Sequence, residues 1–533
     1  MGFQAIFVII ILSVLIIALI KDRMRPGLIL LSGAVAFMCA GILSPKELLE
    51  GFSNKGMITV AMLFLVSEGV RRSGLLSTLL EHLLPKRRAT IRGVQARMLP
   101  AVAFISAFLN NTPVVVIFAP MIKRWAERHR LSPTKFLIPL SYATILGGVC
   151  TLIGTSTNLV VHGMVIDAGY TGFSMFELGK VGIVIAVVGL LYIYIASPRL
   201  LPDRREDREE QVTSEERREG LQRIEVVLAA RFPAINRRVR DFDFKRKYGA
   251  TILEIRRGGD TIIIHDMRKE RFREGDTLVL LADKSFMENW GDSSFFLMVS
   301  DGRKEEAPMN KSKRWLAVGL MVLMVLGATI GELPAVKQAC PGMTLDMFFF
   351  VSITTIIMAW LGMFPARKYT KYVSWDILIT IASAFAISRA MQNSGMADAV
   401  ASFATGLSSS HGPLVLLAVV FVITNVFTEL MTNNAAAALA FPISLSMAQH
   451  LGVSPMPFFV TICMAASASF STPIGYQTNL IVQGIGNYRF ADFVKVGLPL
   501  NLIALIFTKK SVINEYTSKL LAYRFMKHNC RNR

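Results

Sequence analysis

The sequence predicts an all-α polytopic membrane protein with inverted five-span repeats and two re-entrant hairpins, plus a small cytoplasmic α+β domain. Three observations lead to this fold. Of the 533 residues, 53% are hydrophobic and only 18% are charged, whereas soluble chains carry about 25% charged residues. Long apolar stretches recur in both halves, and one stretch in each half is interrupted by polar residues. A hydrophilic segment separates the halves.

Ten apolar stretches are candidate membrane spans, since a spanning helix needs about 20 mostly apolar residues. The first is interpreted as a retained span rather than a signal peptide, because Lys21, Arg23 and Arg25 follow it in place of a cleavage site. The candidates are 3–20, 27–43, 57–70, 136–164, 179–197, 315–331, 345–363, 374–389, 456–486 and 495–508.

Two further apolar stretches, 99–122 and 412–447, do not fit a simple span. Each is interrupted in its middle, by residues 110–112 in the first stretch and by residues 432–434 in the second. Non-helical backbone at membrane depth survives only when it is buried in protein or lines a wet cavity. The interruptions therefore predict re-entrant hairpins with polar tips.

The two halves repeat the same motifs in the same order, and partners are separated by 321 or 322 positions. This spacing predicts an internal repeat, and an odd number of five spans in each half inverts the second half relative to the first. The partners are Gly74 and Gly395, Asn111 and Asn433, Pro120 and Pro442, and Asn158 and Asn479.

The net charge of +20 would suggest a nucleic-acid partner in a soluble chain. Here the basic residues cluster in short loops (21–25, 86–97, 123–135 and 367–371), and the positive-inside bias explains them better. This topology places the N-terminus outside the plasma membrane and residues 199–313 in the cytoplasm. The basic tail 509–533 falls outside, so either it is an exception or one span is miscounted.

Four segments must contain non-helical backbone, and all four are rich in hydroxyls and amides. Their carbonyls and side-chain oxygens suit sodium, whereas half-helix N-termini, backbone N–H groups, Asn and Thr suit an anion. No Arg or Lys lies in them. In the alternative interpretation these polar residues only tie helices together, but their pairing beside Gly or Pro argues against it. The segments are the tips 106–113 and 428–435 and the breaks 153–159 and 473–480.

At these residues the chain resembles the divalent anion:sodium symporter (DASS) family, which carries sulfate and dicarboxylates such as succinate and citrate. Its hallmark is a Ser-Asn-Thr tip on each of two hairpins; here the tips are Asn-Asn-Thr at 110–112 and Thr-Asn-Asn at 432–434. The resemblance implies a homodimer of elevator type. It implies one sodium site from Ser106, Asn110, Asn111 and Gly154, and another from Thr428, Met431, Asn433 and Gly475. It implies anion contacts from Asn111, Thr112, Thr155, Asn433, Asn434 and Tyr476.

The chain departs from this family at the breaks, where dicarboxylate carriers have Gly-(Ser/Thr)-Pro-Pro-Asn. Residues 154–158 are Gly-Thr-Ser-Thr-Asn and residues 475–479 are Gly-Tyr-Gln-Thr-Asn. The second motif looks more like the sulfate-carrying branch and favours sulfate or another compact oxyanion. The Ser and Thr missing from the tips leave sodium dependence open. Glu429, beside the second tip, is a candidate proton or cation site, or a carboxylate held structurally by hairpin N–H groups.

The hydrophilic segment 199–313 begins with a charged linker and continues with β-rich runs at 224–230, 250–255, 260–265 and 276–282. Residues 221–300 resemble a TrkA-C domain, the C-terminal subdomain of potassium-conductance regulators. This resemblance implies dimerisation and, in some such domains, a nucleotide or small-molecule ligand. A ligand-free dimerisation module is the alternative.

The sequence thus predicts a non-enzymatic secondary active transporter of sulfate or a dicarboxylate, coupled to sodium and regulated through its cytoplasmic domain. The alternatives are an oxyanion exporter or sodium/proton antiporter of the same superfamily, and an anion-gated channel or sensor. The predicted parts are a first repeat at 1–198, the insert at 199–313, a second repeat at 314–508 and the tail at 509–533. The five cysteines are interpreted as free thiols.

Overall fold

The computed structural model describes most of the chain. The described residues are 2–21, 24–85, 89–203, 222–229, 231–257, 260–263, 269–290, 293, 295–300, 311–331, 333, 336, 338, 344–396, 398–399, 402 and 413–530. Several residues used above lie outside them: Arg23, the basic residues 86–88, residues 204–221 of the charged linker, residues 230 and 264–265 of the β-rich runs, one of the five cysteines (Cys340), and residues 531–533 of the tail.

The described residues of the first half form ten α-helices, and side chains cap several of their N-termini. Ser44 and Glu47 form a capping box, and the Asn54 side chain accepts a bond from the Gly56 N–H at 2.7 Å. The helices are α1 (Phe3–Lys21), α2 (Pro26–Cys39), α3 (Pro45–Glu50), α4 (Lys55–Arg72), α5 (Leu75–Leu83), α6 (Ile91–Phe108), α7 (Asn111–Arg128), α8 (Leu137–Gly148), α9 (Ser156–Asp167) and α10 (Gly179–Leu200).

The described residues between the halves form an antiparallel sheet of five strands in the order β3-β2-β4-β1-β5. Each of the four predicted β-rich runs contributes described residues to one of the strands β1 to β4, whereas β5 was not predicted. Aromatic side chains, among them Phe232 and Phe272, fill its core. The elements are β1 (Gln222–Leu228), α11 (Phe244–Tyr248), β2 (Ala250–Arg257), β3 (Asp260–Ile263), β4 (Thr277–Ala282), α12 (Lys284–Trp290) and β5 (Phe296–Ser300).

The second half repeats the order of a helical hairpin, a broken helix and a long final helix. That final helix continues without interruption from the last predicted span into the predicted tail. The helices are α13 (Lys311–Gly331), α14 (Met347–Trp360), α15 (Trp375–Asn393), α16 (Pro413–Leu430), α17 (Asn433–Leu451), α18 (Met456–Ser467), α19 (Gln477–Gly486) and α20 (Phe490–Cys530).

Packing between the halves is reciprocal. Helix α2 packs on α15 and α4 packs on α14; α7 packs on α19 and α9 packs on α17; the long helices α10 and α20 pack on each other. Every residue of α8 is buried, as expected for a helix that is apolar on all sides and surrounded by others. The hairpin of each half therefore contacts the broken helix of the other half.

Four helical stretches among the described residues are long and apolar enough to cross a bilayer. They are Pro45–Arg72, Gly179–Leu200, Ser312–Gly331 and Phe490–Glu515. The other predicted spans correspond to shorter helices. Stretches 136–164 and 456–486 are each divided into two helices, α8 and α9 in the first and α18 and α19 in the second, because their glycine-containing breaks interrupt them.

Candidate functional site

Each of the two predicted tips is a short connection between two consecutive helices. Helix α6 ends at Phe108 and α7 begins at Asn111, while α16 ends at Leu430 and α17 begins at Asn433. The central asparagine of each tip is thus the first residue of a helix. Its backbone N–H belongs to the first turn, which has no partner within the helix and carries partial positive charge.

Asn111 is 1% exposed and lies inside a ring of polar atoms. The hydrogen-bond network orients its amide oxygen toward the Tyr476 hydroxyl, 2.6 Å away. Its nitrogen then donates to Ser106 Oγ at 2.7 Å, to the Thr144 carbonyl at 3.0 Å and to the Gly154 carbonyl at 3.3 Å. Ser106 and Gly154, which were predicted to form a sodium site together with Asn110 and Asn111, are therefore both in contact with Asn111.

The second tip has a similar arrangement. Thr428 lies five residues before Asn433, as Ser106 lies five before Asn111, and its hydroxyl contacts Asn433 Oδ1 at 2.7 Å. The same hydroxyl lies 2.6 Å from the carbonyl oxygen of Ala466, at the end of α18. Met431 is 4% exposed and packs in an apolar cluster with residues of α1, α2 and α15. Only its backbone carbonyl could therefore bind a cation.

In the structure the first break is the connection 149–155 between α8 and α9, and the second is the connection 468–476 between α18 and α19. An asparagine in the helix after each break forms hydrogen bonds across it. Asn158 Nδ2 donates to the Thr151 carbonyl at 2.9 Å, and Asn479 Nδ2 donates to the carbonyls of Ser469 at 2.8 Å and Thr472 at 3.1 Å. These bonds satisfy carbonyls that the interrupted helices leave without partners. Both asparagines are buried, and they hold the breaks.

Glycine is required at each break by close approach. A Cβ atom at Gly154 would lie 2.5 Å from the Gly148 carbonyl oxygen and 3.0 Å from that of Ala107. A Cβ atom at Gly475 would collide with Ser469 Oγ and the Thr428 carbonyl oxygen. The hairpin of each half thus packs directly against the break of the same half.

Each break also faces the tip of the opposite half. The Tyr476 hydroxyl of the second break donates to the amide oxygen of Asn111 in the first tip. The Thr155 hydroxyl of the first break lies 3.1 Å from the Tyr476 hydroxyl. Ser156 and Thr157 of the first break donate to Asn434 Oδ1 of the second tip at 3.3 and 3.2 Å. The N-termini of α7, α9, α17 and α19 therefore converge.

The structure brings together most of the predicted anion contacts. Asn111, Thr155 and Tyr476 form one bonded group, and Asn434 joins the first break. Thr112 makes a longer contact than these residues do: its hydroxyl lies 3.4 Å from Gln477 Oε1. Asn110 precedes α7 without a capping bond from its side chain.

Glu429 is held by the second break and not by the hairpin N–H groups that the sequence suggested. Its carboxylate accepts the Ser471 N–H at 2.8 Å, the Thr472 N–H at 2.8 Å and Asn501 Nδ2 at 2.7 Å. Asn501 lies on α20 and is 6% exposed. The sequence interpretation missed Asn501, whose only signal is an amide within an apolar helix.

Two other features were also missed. Ser156, Thr157 and Gln477 contact the opposite tips, although the sequence shows only their place in the breaks. Lys123 of α7 forms an ion pair with Glu225 of β1, with 3.0 Å between Nζ and Oε2. Because its side chain is only 9% exposed, this pair docks the sheet onto the hairpin that carries Asn111.

Comparison with known proteins identifies relatives along nearly the whole chain. Residues 10–463 match the family described as Citrate transporter, CitMHS. An uncharacterized transporter of Synechocystis sp. is 29% identical, with 91% of this chain and 92% of the relative covered. Sodium/sulfate cotransporter 2 of Chlamydomonas reinhardtii is 29% identical over 53% of this chain and 31% of its own length.

The comparison extends to a more distant relative and to a solved structure. The sodium-dependent dicarboxylate transporter SdcS of Staphylococcus saprophyticus is 21% identical over 87% of this chain and 77% of its own. The crystal structure of the YdaH transporter of Alcanivorax borkumensis aligns with a TM-score of 0.53 over 89% of this chain and 88% of that one, at 13% identity. That likeness concerns the fold alone.

Proposed function

This chain belongs to the citrate transporter family, and we propose that it is a secondary active transporter of a small divalent anion, sulfate or a dicarboxylate, coupled to sodium. The convergence of four helix N-termini around Thr155 and Tyr476 carries this proposal. Unpaired N–H groups and helix dipoles attract an anion without a basic side chain. Relatives named for sodium/sulfate and dicarboxylate transport support the substrate class.

The surroundings of Asn111 fit a sodium ion. Three oxygen atoms, from Ser106 and from the carbonyls of Thr144 and Gly154, lie within 3.3 Å of its terminal amide nitrogen. Rotation of the amide would direct a fourth oxygen toward the same point, and such neutral oxygens suit a hard cation. Ser106, Asn111 and Gly154 would hold the ion, which would supply positive charge beside the anion. Asn110 completes the proposed set through its position at the tip.

The second tip offers a matching set of oxygen donors. The Thr428 hydroxyl, Asn433 Oδ1 and the Ala466 carbonyl lie within one hydrogen-bonded group, and Gly475 packs against the Thr428 carbonyl. These atoms and the backbone of Met431 would hold a second sodium ion. The anion would then lie between the two ions, bound by Asn111, Thr112, Thr155, Asn433, Asn434 and Tyr476.

We further propose that the halves form inverted repeats, that the hairpins are re-entrant, and that the protein works as an elevator-type homodimer in the plasma membrane. The reciprocal packing of α2 on α15 and α4 on α14 supports the repeat. The close contacts of each hairpin with both breaks favour movement of these elements as one body.

The sheet is the proposed regulatory element, a cytoplasmic TrkA-C-like domain that takes a nucleotide or small-molecule ligand. It touches both elements that bear the Asn111–Tyr476 contact. Lys123 of α7 pairs with Glu225, and a Cβ atom at Gly275 would meet the Leu480 side chain of α19 at 2.6 Å. A ligand that moved the sheet would thus displace α7 and α19.

The test is uptake of labelled sulfate, succinate and citrate into proteoliposomes, with an inward sodium gradient or with choline in its place. We expect sodium-driven uptake of one anion that excess unlabelled anion blocks. Uptake that is indifferent to sodium would contradict the coupling and favour exchange or a proton-coupled antiporter. Efflux without uptake would favour the oxyanion exporter, and unsaturable flux would favour a channel.

A further inference from the structure

The carboxylate of Glu429 connects three elements of the structure: the second hairpin, the second break and the last helix. The residue lies on α16, while its three donors belong to the second break and to α20. Asn501 also donates to Ser471 Oγ at 2.8 Å, so the hairpin, the break and the last helix share one bonded group. Three donors face the two carboxylate oxygens and fix the orientation of the side chain; these bonds favour the ionised form, whereas burial opposes it.

The first half lacks this group although its backbone is arranged in the same way. The Thr151 hydroxyl contacts the Ala107 carbonyl, as the Thr472 hydroxyl contacts the Glu429 carbonyl at 3.0 Å. Ala107 and Glu429 are 322 positions apart. The first half therefore has a methyl group where the second half has a carboxylate.

Asn501 also has an apolar counterpart. A Cβ atom at Gly182 of α10 would press on the Val149 carbonyl, and one at Gly497 of α20 would press on the Phe470 carbonyl. Val149 and Phe470 are repeat partners at the separation of 321. Four residues beyond each glycine lie Ala186 and Asn501. An Ala–Ala pair in one half thus corresponds to a Glu–Asn pair in the other.

The Glu429 group reaches the candidate site through Thr472. The Thr472 N–H donates to the carboxylate, and its hydroxyl accepts the Gly475 N–H at 3.3 Å. Gly475 precedes Tyr476, whose hydroxyl bonds to Asn111. On its other side Glu429 follows Thr428, which contacts Asn433. Within the described residues no Lys, Arg or His forms an ion pair with Glu429.

We infer that Glu429 and Asn501 are positioning residues: they fix the second break and place a carboxylate beside the second-tip cation site, and this carboxylate has no counterpart in the first half. This inference rests on the proposed function. An ionised carboxylate at this place would attract the cation that Thr428, Asn433 and Gly475 would hold, so the two halves would bind sodium with unequal affinity. The carboxylate of Glu429 faces Ser471, Thr472 and Asn501, so the proposed role is positioning and not direct binding of the ion or the anion.

The test compares Glu429→Gln, Asn501→Ala and Asn425→Ala in proteoliposomes. Asn425 is the matched control, because it lies on the same helix and donates to the Ala468 carbonyl of the same break at 2.6 Å without any charge. Sodium is varied at saturating anion, and anion is varied at saturating sodium. We expect Glu429→Gln to raise the half-saturating sodium concentration about tenfold, as for a unit charge removed near a cation.

The anion half-saturation at saturating sodium should change much less in Glu429→Gln, and Asn501→Ala should shift sodium dependence in the same direction. An equal shift in Asn425→Ala would overturn the charge effect and leave only a loosened break. Unchanged sodium dependence in Glu429→Gln would overturn the inference while wild-type uptake still supports the proposed function. Sodium-independent uptake by the wild-type protein would overturn both.

A second measurement tests sodium binding in variants that do not transport. Sodium should raise the thermal unfolding temperature of the detergent-solubilised wild-type protein relative to choline, since a bound ligand stabilises the folded state. We expect Glu429→Gln to require a higher sodium concentration for the same shift. An identical sodium titration in wild type and variant would contradict the inference without reference to transport.

Discussion

The hydroxyl groups of Thr155 and Tyr476 lie 3.1 Å apart, although the two residues occupy equivalent positions of the two halves, 321 residues apart. Each is the residue immediately before a helix that follows a break. A residue in contact with its own repeat partner lies at the boundary between the halves. Each half therefore contributes one hydroxyl to the candidate anion site. A substitution at Thr155 or at Tyr476 probes the contribution of one half.

Tyr476→Phe should weaken anion binding. The change removes the hydroxyl that donates to Asn111 and contacts Thr155 while it keeps the ring. Loss of one bond to a buried polar group costs about 1–3 kcal/mol, so we expect the half-saturating anion concentration to rise roughly tenfold or more. Tyr488→Phe is the control, because the Tyr488 hydroxyl bonds to the Ile138 N–H away from the tips. Equal effects of both changes on anion affinity would contradict the site.

Asn111→Ala and Asn433→Ala should each abolish uptake without preventing membrane insertion. Each removes the amide at the first position of a tip helix, and neither changes the apolar surface of the protein. Removal of a buried polar partner should lower transport by at least about a hundredfold. Asn393→Ala serves as the control, because Asn393 lies outside the tips and donates to the Ile42 carbonyl. Wild-type flux in either tip variant would exclude these asparagines from the site.

Gly154→Ala and Gly475→Ala should lower thermal stability in detergent. The added methyl groups would press on the Gly148 carbonyl in one case and on Ser469 Oγ in the other. Overpacking of this kind costs about 1–3 kcal/mol. Gly319→Ala is the matched control, because a Cβ atom at this helical glycine has nothing within 4 Å and alanine favours a helix. Thermal unfolding that is unchanged in both break variants would show that the breaks can open.

Single charge reversals in the Lys123–Glu225 pair should loosen the contact between the sheet and α7, and the double reversal should restore part of it. Lys123→Glu places two carboxylates together, and Glu225→Lys places two ammonium groups together, so each change should loosen the sheet from α7. The double variant returns opposite charges, and we expect a coupling of about 1 kcal/mol in a double-mutant cycle of unfolding free energies. The exposed Lys180–Glu515 pair is the control. Additive effects at 123 and 225 would show that the contact does not couple the sheet to the hairpin.

Acid should weaken the same contact. Burial raises the pKa of Glu225, but the charges of Lys123 and Arg256 outweigh burial and hold the pKa below 4.5. Folding therefore lowers this pKa, and the resulting stability is fully present above pH 4.5 and declines as the pH falls through the lowered value. The coupling in the double-mutant cycle, measured from pH 7 downward, should follow this course. A coupling that grows on acidification would contradict it.

Several features of the fold follow from local patterns. The apolar lengths, the polar interruptions and the β-rich runs predicted the helices, both tips, both breaks and most of the sheet. These features arise because hydrophobicity and backbone preference act over a few neighbouring residues. The glycines at 154 and 475 show the limit of that information: the sequence indicates that the chain unwinds there, whereas the neighbouring carbonyls explain why no side chain fits.

The sequence by itself indicated a multi-pass membrane protein and placed Asn111 and Asn433 in matching motifs 322 positions apart. Only the tertiary structure decided that Tyr476 bonds to Asn111, that Glu429 is held by Ser471, Thr472 and Asn501, and that Lys123 docks the sheet. These pairs join residues distant along the chain. Their contacts depend on how whole helices pack, and no short stretch of sequence specifies that packing.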